Sequence, residues 1–239
     1  MNAADTKIHA VLFDLDGTLV DTAPDLVGCV QDVMRARGAR PVPFKALRSY
    51  VSRGVRGLLG AAYGPEFIES EEYPDVFEQC LKLYSSRLAE RSRLFPGMRR
   101  TLDELARRNI PWGVVTNKPE HLTRPLLKAL DLAQECAATV GGGTTANNKP
   151  HPEPMLFAAR QLAVDPVHCA MVGDDQRDIQ AASNAGMTGL AAAWGYFPPE
   201  EELSAWGAAT ILQSPLDLLG WLQARNKPAK DASASPRAA

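Results

Sequence analysis

Two aspartates stand at i and i+2 in the run Asp14-Leu15-Asp16-Gly17-Thr18. In an extended chain they point the same way. Like charges that close are costly unless a cation lies between them or one carboxyl is protonated. The chemistry this pair could do is nucleophilic attack by one carboxylate and proton transfer by the other, with a hard metal ion shared between them. Gly17 permits a sharp backbone turn at this point. A lone Asp-x-Asp is more often a solvated acidic strand end, so the pair needs company.

Three further clusters supply it. Thr116-Asn117-Lys118 offers a hydroxyl and an amide that can donate to an oxyanion, although such a tripeptide is also an ordinary turn. Lys149 precedes the proline-stiffened run Pro150-His151-Pro152-Glu153-Pro154 and could hold a phosphate charge. Gly173-Asp174-Asp175-Gln176-Arg177-Asp178 sets three carboxylates within five residues. They read either as oxygen ligands for Mg²⁺ or as a helix N-cap with an acidic first turn.

Each cluster except the Lys149 loop directly follows a short apolar run. The runs are Ile8 to Leu15, Pro111 to Thr116 and Cys169 to Gly173, with a weaker one at Gly189 to Trp194. Helical spacing lies between them, from Gly97 through Leu105, over Pro119 to Leu130, Pro154 to Leu162 and Asp178 to Ala185. Strands alternating with helices predict an α/β fold, a Rossmann-like parallel sheet with helices on both faces. Ligands in such sheets bind at the C-terminal ends of the strands, where the clusters sit. From Thr22 to Leu94 the alternation stops, and apolar residues recur at helical spacing: Leu26, Val27, Val30, Val33 and Met34, then Val76, Phe77, Cys80, Leu81, Leu83 and Tyr84. This predicts an all-helical cap at 22–94, inserted after the first strand of a core made of 1–21 and 95–225. The segment 226–239 is mostly Lys, Ala, Ser and Pro without a large apolar residue and is expected to be disordered.

The composition narrows the function. Over 239 residues, 26 basic and 28 acidic side chains give a net charge of −2, which excludes a strongly basic nucleic-acid binder. No apolar run approaches the ~20 residues of a membrane span, and no secretory signal is read at the start, so a cytoplasmic protein without membrane or nucleic-acid partners is expected. Cys29, Cys80, Cys136 and Cys169 lack Cys-x-x-Cys spacing, and His9, His121, His151 and His168 lack zinc-site spacing. Gly141-Gly142-Gly143 has no following Lys and reads as a flexible loop rather than a P-loop. Trp194, Trp206 and Trp221 read as packing residues.

Taken in order, the clusters DLDGT, VVTNK, the lysine of NNKPHPEP and VGDDQRD resemble the haloacid dehalogenase superfamily, over nearly the whole chain to about Leu222. DLDGTLVDTAP and TNKP look like its phosphoglycolate phosphatase branch, and GDDQRDI and WGVVTNKP are also similar to N-acetylmuramic acid 6-phosphate phosphatases. The resemblance implies a phosphomonoesterase that acts on a small phosphorylated metabolite, with a carboxylate on both candidate substrates. A β-phosphoglucomutase-type phosphomutase is the alternative within the superfamily. Asp14 would form an aspartyl-phosphate, and Asp16 would serve as acid and then base. Thr116 and the Asn117 backbone would donate to phosphoryl oxygens, whose charge Lys149 would offset. Mg²⁺ would be held by Asp14, the Asp16 carbonyl and Asp174, with Asp178 orienting Lys149 or bound water. Asp175 departs from the Ser of many relatives and adds an acid near the metal. In the cap, Arg53 and Arg56 beside two glycines are the candidates for reading a substrate carboxylate. A monomer or weak dimer is expected.

Overall fold

The run that leads to Asp14 is buried on both sides, and it forms the middle of a parallel sheet. The structure, a computed structural model, describes residues 6–226. Strand β1 (Ala10–Phe13) sends Ala10 and Leu12 into one apolar layer and Val11 and Phe13 into the other, as the two-residue period of a strand requires. β2 (Val20–Asp21) follows at once. Next come helices α1 (Ala23–Ala36), α2 (Phe44–Arg48), α3 (Gly54–Tyr63) and α4 (Tyr73–Ser86), and then β3 (Arg93–Leu94), which pairs antiparallel with β2. The chain continues through α5 (Met98–Arg107), β4 (Trp112–Pro119), α6 (Glu120–Ala129), β5 (Ala138–Gly142), α7 (Glu153–Leu162), β6 (Cys169–Gly173), α8 (Gln176–Asn184), β7 (Thr188–Ala192), β8 (Thr210–Leu212) and α9 (Asp217–Arg225).

The sheet order is β5-β4-β1-β6-β7-β8, with every neighbouring pair parallel. From β1 the chain builds outward through β4 and β5. It then crosses back and builds through β6, β7 and β8 on the other side. The direction of winding therefore reverses between β1 and β6, the crevice where open α/β sheets take their ligands. Small residues Ala158, Ala159, Ala181 and Ala182 let α7 and α8 lie close on the face of Ala10 and Leu12. On the other face, Leu102 and Leu105 of α5, Leu122 and Leu126 of α6, and Leu218 and Leu222 of α9 join Val11 and Phe13. The predicted α/β class is the fold observed.

The segment between β2 and β3 is helical, as its spacing requires. Leu26, Val27, Val30, Val33 and Met34 of α1 pack with Leu58 and Leu59 of α3 and with Val76, Cys80 and Tyr84 of α4. Its two connections are tied by buried polar groups. The Asp25 carboxylate accepts from the backbone N–H groups of Arg91 (3.0 Å) and Ser92 (2.8 Å) and from Ser92 Oγ (2.6 Å). Tyr196 Oη donates to Asp21 and accepts from the Ala23 N–H at 3.1 Å. A helix start and a strand return 66 residues apart in sequence thus share one buried carboxylate.

Several short elements depart from the sequence expectation. Gly141 and Gly142 belong to β5 rather than to a flexible loop, because β5 runs tightly against the end of β4. A Cβ at Gly142 would meet the Asn117 carbonyl oxygen at 2.7 Å. β2, β3 and β8 have only two or three residues each, too few to show a period. β4 extends to Pro119 through a register shift after Val115, so Thr116-Asn117-Lys118 lies on a distorted strand end and not in a turn. Trp206 is buried, and the Trp194 indole N–H donates to the Thr18 carbonyl at 3.0 Å. The expected disordered segment lies, apart from Asn226, outside the described residues. Within them no helix is long and apolar enough to cross a membrane.

Candidate active site

Asp14 leaves β1 with its N–H bonded to the Val172 carbonyl of β6 (2.9 Å), which fixes it at the winding reversal. The chain does not stay extended beyond it. Gly17 adopts φ +100°, and a Cβ there would lie 2.1 Å from Asp174 Oδ2. Only glycine lets the backbone pass this close to that carboxylate. Because the chain turns, the Asp14 and Asp16 carboxylates have separate partners instead of facing a shared one. Asp16 accepts from Lys118 Nζ at 3.1 Å on each oxygen and from Thr22 Oγ1 at 2.7 Å.

Lys149 is the hub on the other side of Asp14. Its buried ammonium donates to Asp14 Oδ1 (2.7 Å) and the Val115 carbonyl (2.7 Å), and it pairs with Asp178 Oδ1 at 2.6 Å. Burial acts against this charge, but Asp14 and Asp178 outweigh it and hold the ammonium above its ordinary value. The Asn117 side chain secures the Lys149 backbone, accepting from its N–H at 2.9 Å and donating to its carbonyl at 3.0 Å. Thr116 Oγ1 accepts from the Lys118 N–H at 3.2 Å and borders the same cavity.

The acidic run after β6 divides its labour. Asp174 turns into the site. Asp175 and Asp178 form a capping box at the start of α8, with Asp175 also holding the Arg177 guanidinium at 2.7 Å. The helix-cap reading of this run thus holds for Asp175 and Asp178. Asp174 is fully buried and makes no ion pair among the described residues; Thr18 Oγ1 (2.7 Å), Ser52 Oγ (2.7 Å) and the Tyr196 N–H (2.8 Å) donate to it. Burial, with Asp14 and Asp178 beside it, pushes the Asp174 carboxyl well above the usual range. Burial likewise raises Asp178, to about 7, against the pull of Lys149. Oxygens of Asp14, Asp174 and Asp178 lie within 4.8 Å of one another. Asp14 and Asp178 share the Lys149 ammonium while Asp174 has no cationic partner among the described residues, and an all-oxygen donor set of this kind fits a hard divalent cation.

These groups line a cavity of about 250 Å³ between the sheet and the helical segment. The sheet side is polar. The helical side presents Leu26, Val55, Phe77, Leu81 and Tyr84. Arg53 and Arg56 both reach the rim. Arg53 is paired with Glu201 at 2.7 Å, whereas the Arg56 side chain is 60% exposed, with its guanidinium 3.7 Å from an exposed Glu69.

A sequence model of the haloacid dehalogenase-like hydrolases matches residues 11–192, the stretch from Val11 of β1 through β7 that holds Asp14, Asp16, Thr116, Lys149, Asp174 and Asp178. The chain belongs to that family. Its relatives include a phosphoglycolate phosphatase of Xanthomonas campestris, 40% identical over 88% of this chain and 94% of that one. An N-acetylmuramic acid 6-phosphate phosphatase of Pseudomonas putida is 36% identical over 89% of this chain and 95% of the relative. Among solved structures, a predicted phosphoglycolate phosphatase from Haemophilus somnus superimposes with a TM-score of 0.79 at 27% identity, over 90% of this chain and 98% of that one. The chain is accordingly a phosphatase of the haloacid dehalogenase-like family.

Within this hydrolase, sequence reasoning misses Lys118 and Tyr84, which border the cavity, as do the equally missed Ser52 and Arg177. Lys118 reads with its neighbours as a turn residue, but it is buried and pairs with Asp16. Its ammonium lies 4.5 Å from the centre of the Tyr84 ring. Burial pushes the Tyr84 phenol up to about 12, and its hydroxyl has no hydrogen-bond partner among the described residues. The apolar spacing of α4 marks Tyr84 only as core. The signal that could separate it is a hydroxyl-bearing residue on an otherwise apolar helix face.

Proposed function

We propose that this chain is a Mg²⁺-dependent phosphomonoesterase for a small carboxylated metabolite, phosphoglycolate first, working through an aspartyl-phosphate on Asp14. The observation that carries the reading is Asp14 at the winding reversal, buried, aligned by Lys149 at 2.7 Å and grouped with Asp174. An Asp14 oxygen attacks phosphorus while the bond to the leaving alkoxide breaks, and Asp16 gives that alkoxide its proton. Water then attacks the aspartyl-phosphate, Asp16 takes the water's proton, and phosphate leaves with the Asp14 carboxylate restored. Thr116 and the Asn117 backbone donate to the phosphoryl oxygens, and Lys149 offsets their charge. Asp14, the Asp16 carbonyl and Asp174 would hold Mg²⁺, which when bound supplies further charge compensation at phosphorus. Asp178 holds Lys149 in place.

One observation favours a second substrate, N-acetylmuramic acid 6-phosphate. The apolar wall of Leu26, Val55, Phe77 and Leu81 offers more contact than a two-carbon acid can use. Measuring kcat/KM for both esters, and for p-nitrophenyl phosphate, in wild type and Arg56→Ala separates the readings. The better substrate is the one whose kcat/KM is higher by at least tenfold. Loss of a charge-assisted hydrogen bond from Arg56 is expected to cost carboxylated esters about 10- to 150-fold and to spare p-nitrophenyl phosphate. Arg53→Ala should cost less, because Glu201 already holds that guanidinium. Equal losses on all three esters would assign both arginines to the structure of the helical segment.

The raised carboxyls give the metal reading a pH signature. With folded values above the unfolded ones, Asp174 and Asp178 bind more protons folded than unfolded. Their contribution to stability is therefore present at low pH and is lost as pH rises from about 4 through about 7. A cation that pairs with the ionised forms restores it. In Mg²⁺ held at one concentration, about 100 times the Kd at pH 7.5, the gain in Tm over chelator is expected to be about 5–10 °C at pH 7.5 and distinctly smaller at pH 5. An equal gain at both pH values would count against these carboxylates as the ligands.

A further inference from the structure

The helical segment reaches the proposed cation site through one residue, Ser52, in the short 3₁₀ turn Val51–Arg53. Its Oγ is 2.7 Å from Asp174 Oδ2 and 3.3 Å from the Asp16 carbonyl oxygen. Those two acceptors come from opposite sides of the winding reversal, one after β1 and one after β6. They are also two of the three groups named above as cation ligands. A hydroxyl carries a single proton, so it can satisfy only one of the two at a time. The two acceptor oxygens that would share a hard cation converge instead on the Ser52 hydroxyl, which has only one proton to offer them.

Ser52 is not there by a loose side-chain rotation. Its own carbonyl accepts from Arg177 Nη2 at 3.0 Å, and Arg177 is clasped by both Asp175 oxygens at 2.7 Å. Its neighbour Arg53 is paired with Glu201. The loop after β6 therefore holds this residue twice, by the main chain through Asp175 and Arg177 and by the side chain through Asp174. Asp175 thereby positions the arginine that grips the inserted segment.

We propose that Ser52 and the cation compete for Asp174, so that docking of the Val51–Arg53 turn and metal binding oppose each other. This rests on the metal reading given above. Coupling of this kind is reciprocal. A docked turn weakens metal binding, and a bound metal frees the turn. The turn forms part of the cavity wall, with Val51, Ser52 and Arg53 all lining it, so the metal-loaded protein is the one with the freer entrance for substrate.

The test measures binding of Mg²⁺ alone, by isothermal calorimetry on the full chain, for wild type and Ser52→Ala. Removing the hydroxyl is expected to tighten Mg²⁺ by about 2- to 12-fold, the factor that one hydrogen bond supplies. Hydrogen exchange of the amides around Val51 to Val55 gives the second readout. Exchange should quicken on adding Mg²⁺ to wild type, while in Ser52→Ala it should be fast already and insensitive to the ion. An unchanged Kd, or a weaker one because Ser52 helps to hold the ion, overturns the competition while leaving the metal reading intact. Slower exchange with Mg²⁺ in wild type overturns it as well. No Mg²⁺ binding by either protein overturns the metal reading and the competition with it.

Discussion

Asp14→Asn is expected to lose turnover on the order of 10⁴-fold or more, as happens when an enzyme's nucleophile is removed. An amide does not attack phosphorus and is a poor ligand for a hard cation. The same change should not unfold the protein. The amide oxygen of the variant can still accept from Lys149 Nζ, which lies 2.7 Å from Asp14 Oδ1 in the wild type. The substitution also removes one of three carboxylates whose oxygens crowd within 4.8 Å. In chelator the Tm of Asp14→Asn should therefore equal or exceed that of wild type, because like-charge repulsion in a buried site is relieved. Steady-state assays and thermal melts on one preparation check both halves. Retention of a tenth of wild-type activity would remove Asp14 as nucleophile. A large fall in Tm would mean that its charge is needed to balance Lys149.

Asp16→Asn is expected to lose about 10²–10⁴-fold on alkyl phosphates, the usual range for a general acid or base. The loss should depend on the leaving group. p-Nitrophenolate leaves without help, so formation of the aspartyl-phosphate from p-nitrophenyl phosphate is largely spared. Its hydrolysis still lacks a base, and the intermediate accumulates. A stopped-flow burst approaching one equivalent of p-nitrophenolate per enzyme, followed by slow turnover, is the expected trace. A single slow phase, with the same loss on both kinds of ester, would show that Asp16 serves structure through Lys118 and Thr22 rather than proton transfer.

Much of the core was legible because burial leaves a mark on composition. β1, β4 and β6 are largely apolar runs followed by polar residues, and both faces of each are covered by helices. β5 and β8 were not legible. β5 is Ala-Thr-Val-Gly-Gly, whose glycines are required by the approach of the β4 backbone and not by a loop. β2 and β3 pair over only two residues each, and they exist because the helical segment must leave and return side by side. Asp25, which ties α1 to the return, looks in the sequence like an ordinary acidic residue in a first helical turn.

The candidate site shows the same division. Asp14, Asp16, Thr116, Lys149 and Asp174 could be picked out because each carries chemistry that a strand end or a loop start can present. The sequence by itself determined the residue types, their order and the sheet that must present them. Tertiary structure alone decided who faces whom. Asp16 turns from Asp14 to Lys118 because Gly17 bends the chain, and Asp175 serves the α8 cap while Asp174 faces the site. Lys149 meets Asp14 across 135 residues, and Ser52 meets Asp174 across 122. The physical reason is that local periodicity encodes which face of an element is buried. Contacts between elements depend on strand order and on the angle at which the helical segment folds back, and these are set by packing over the whole chain.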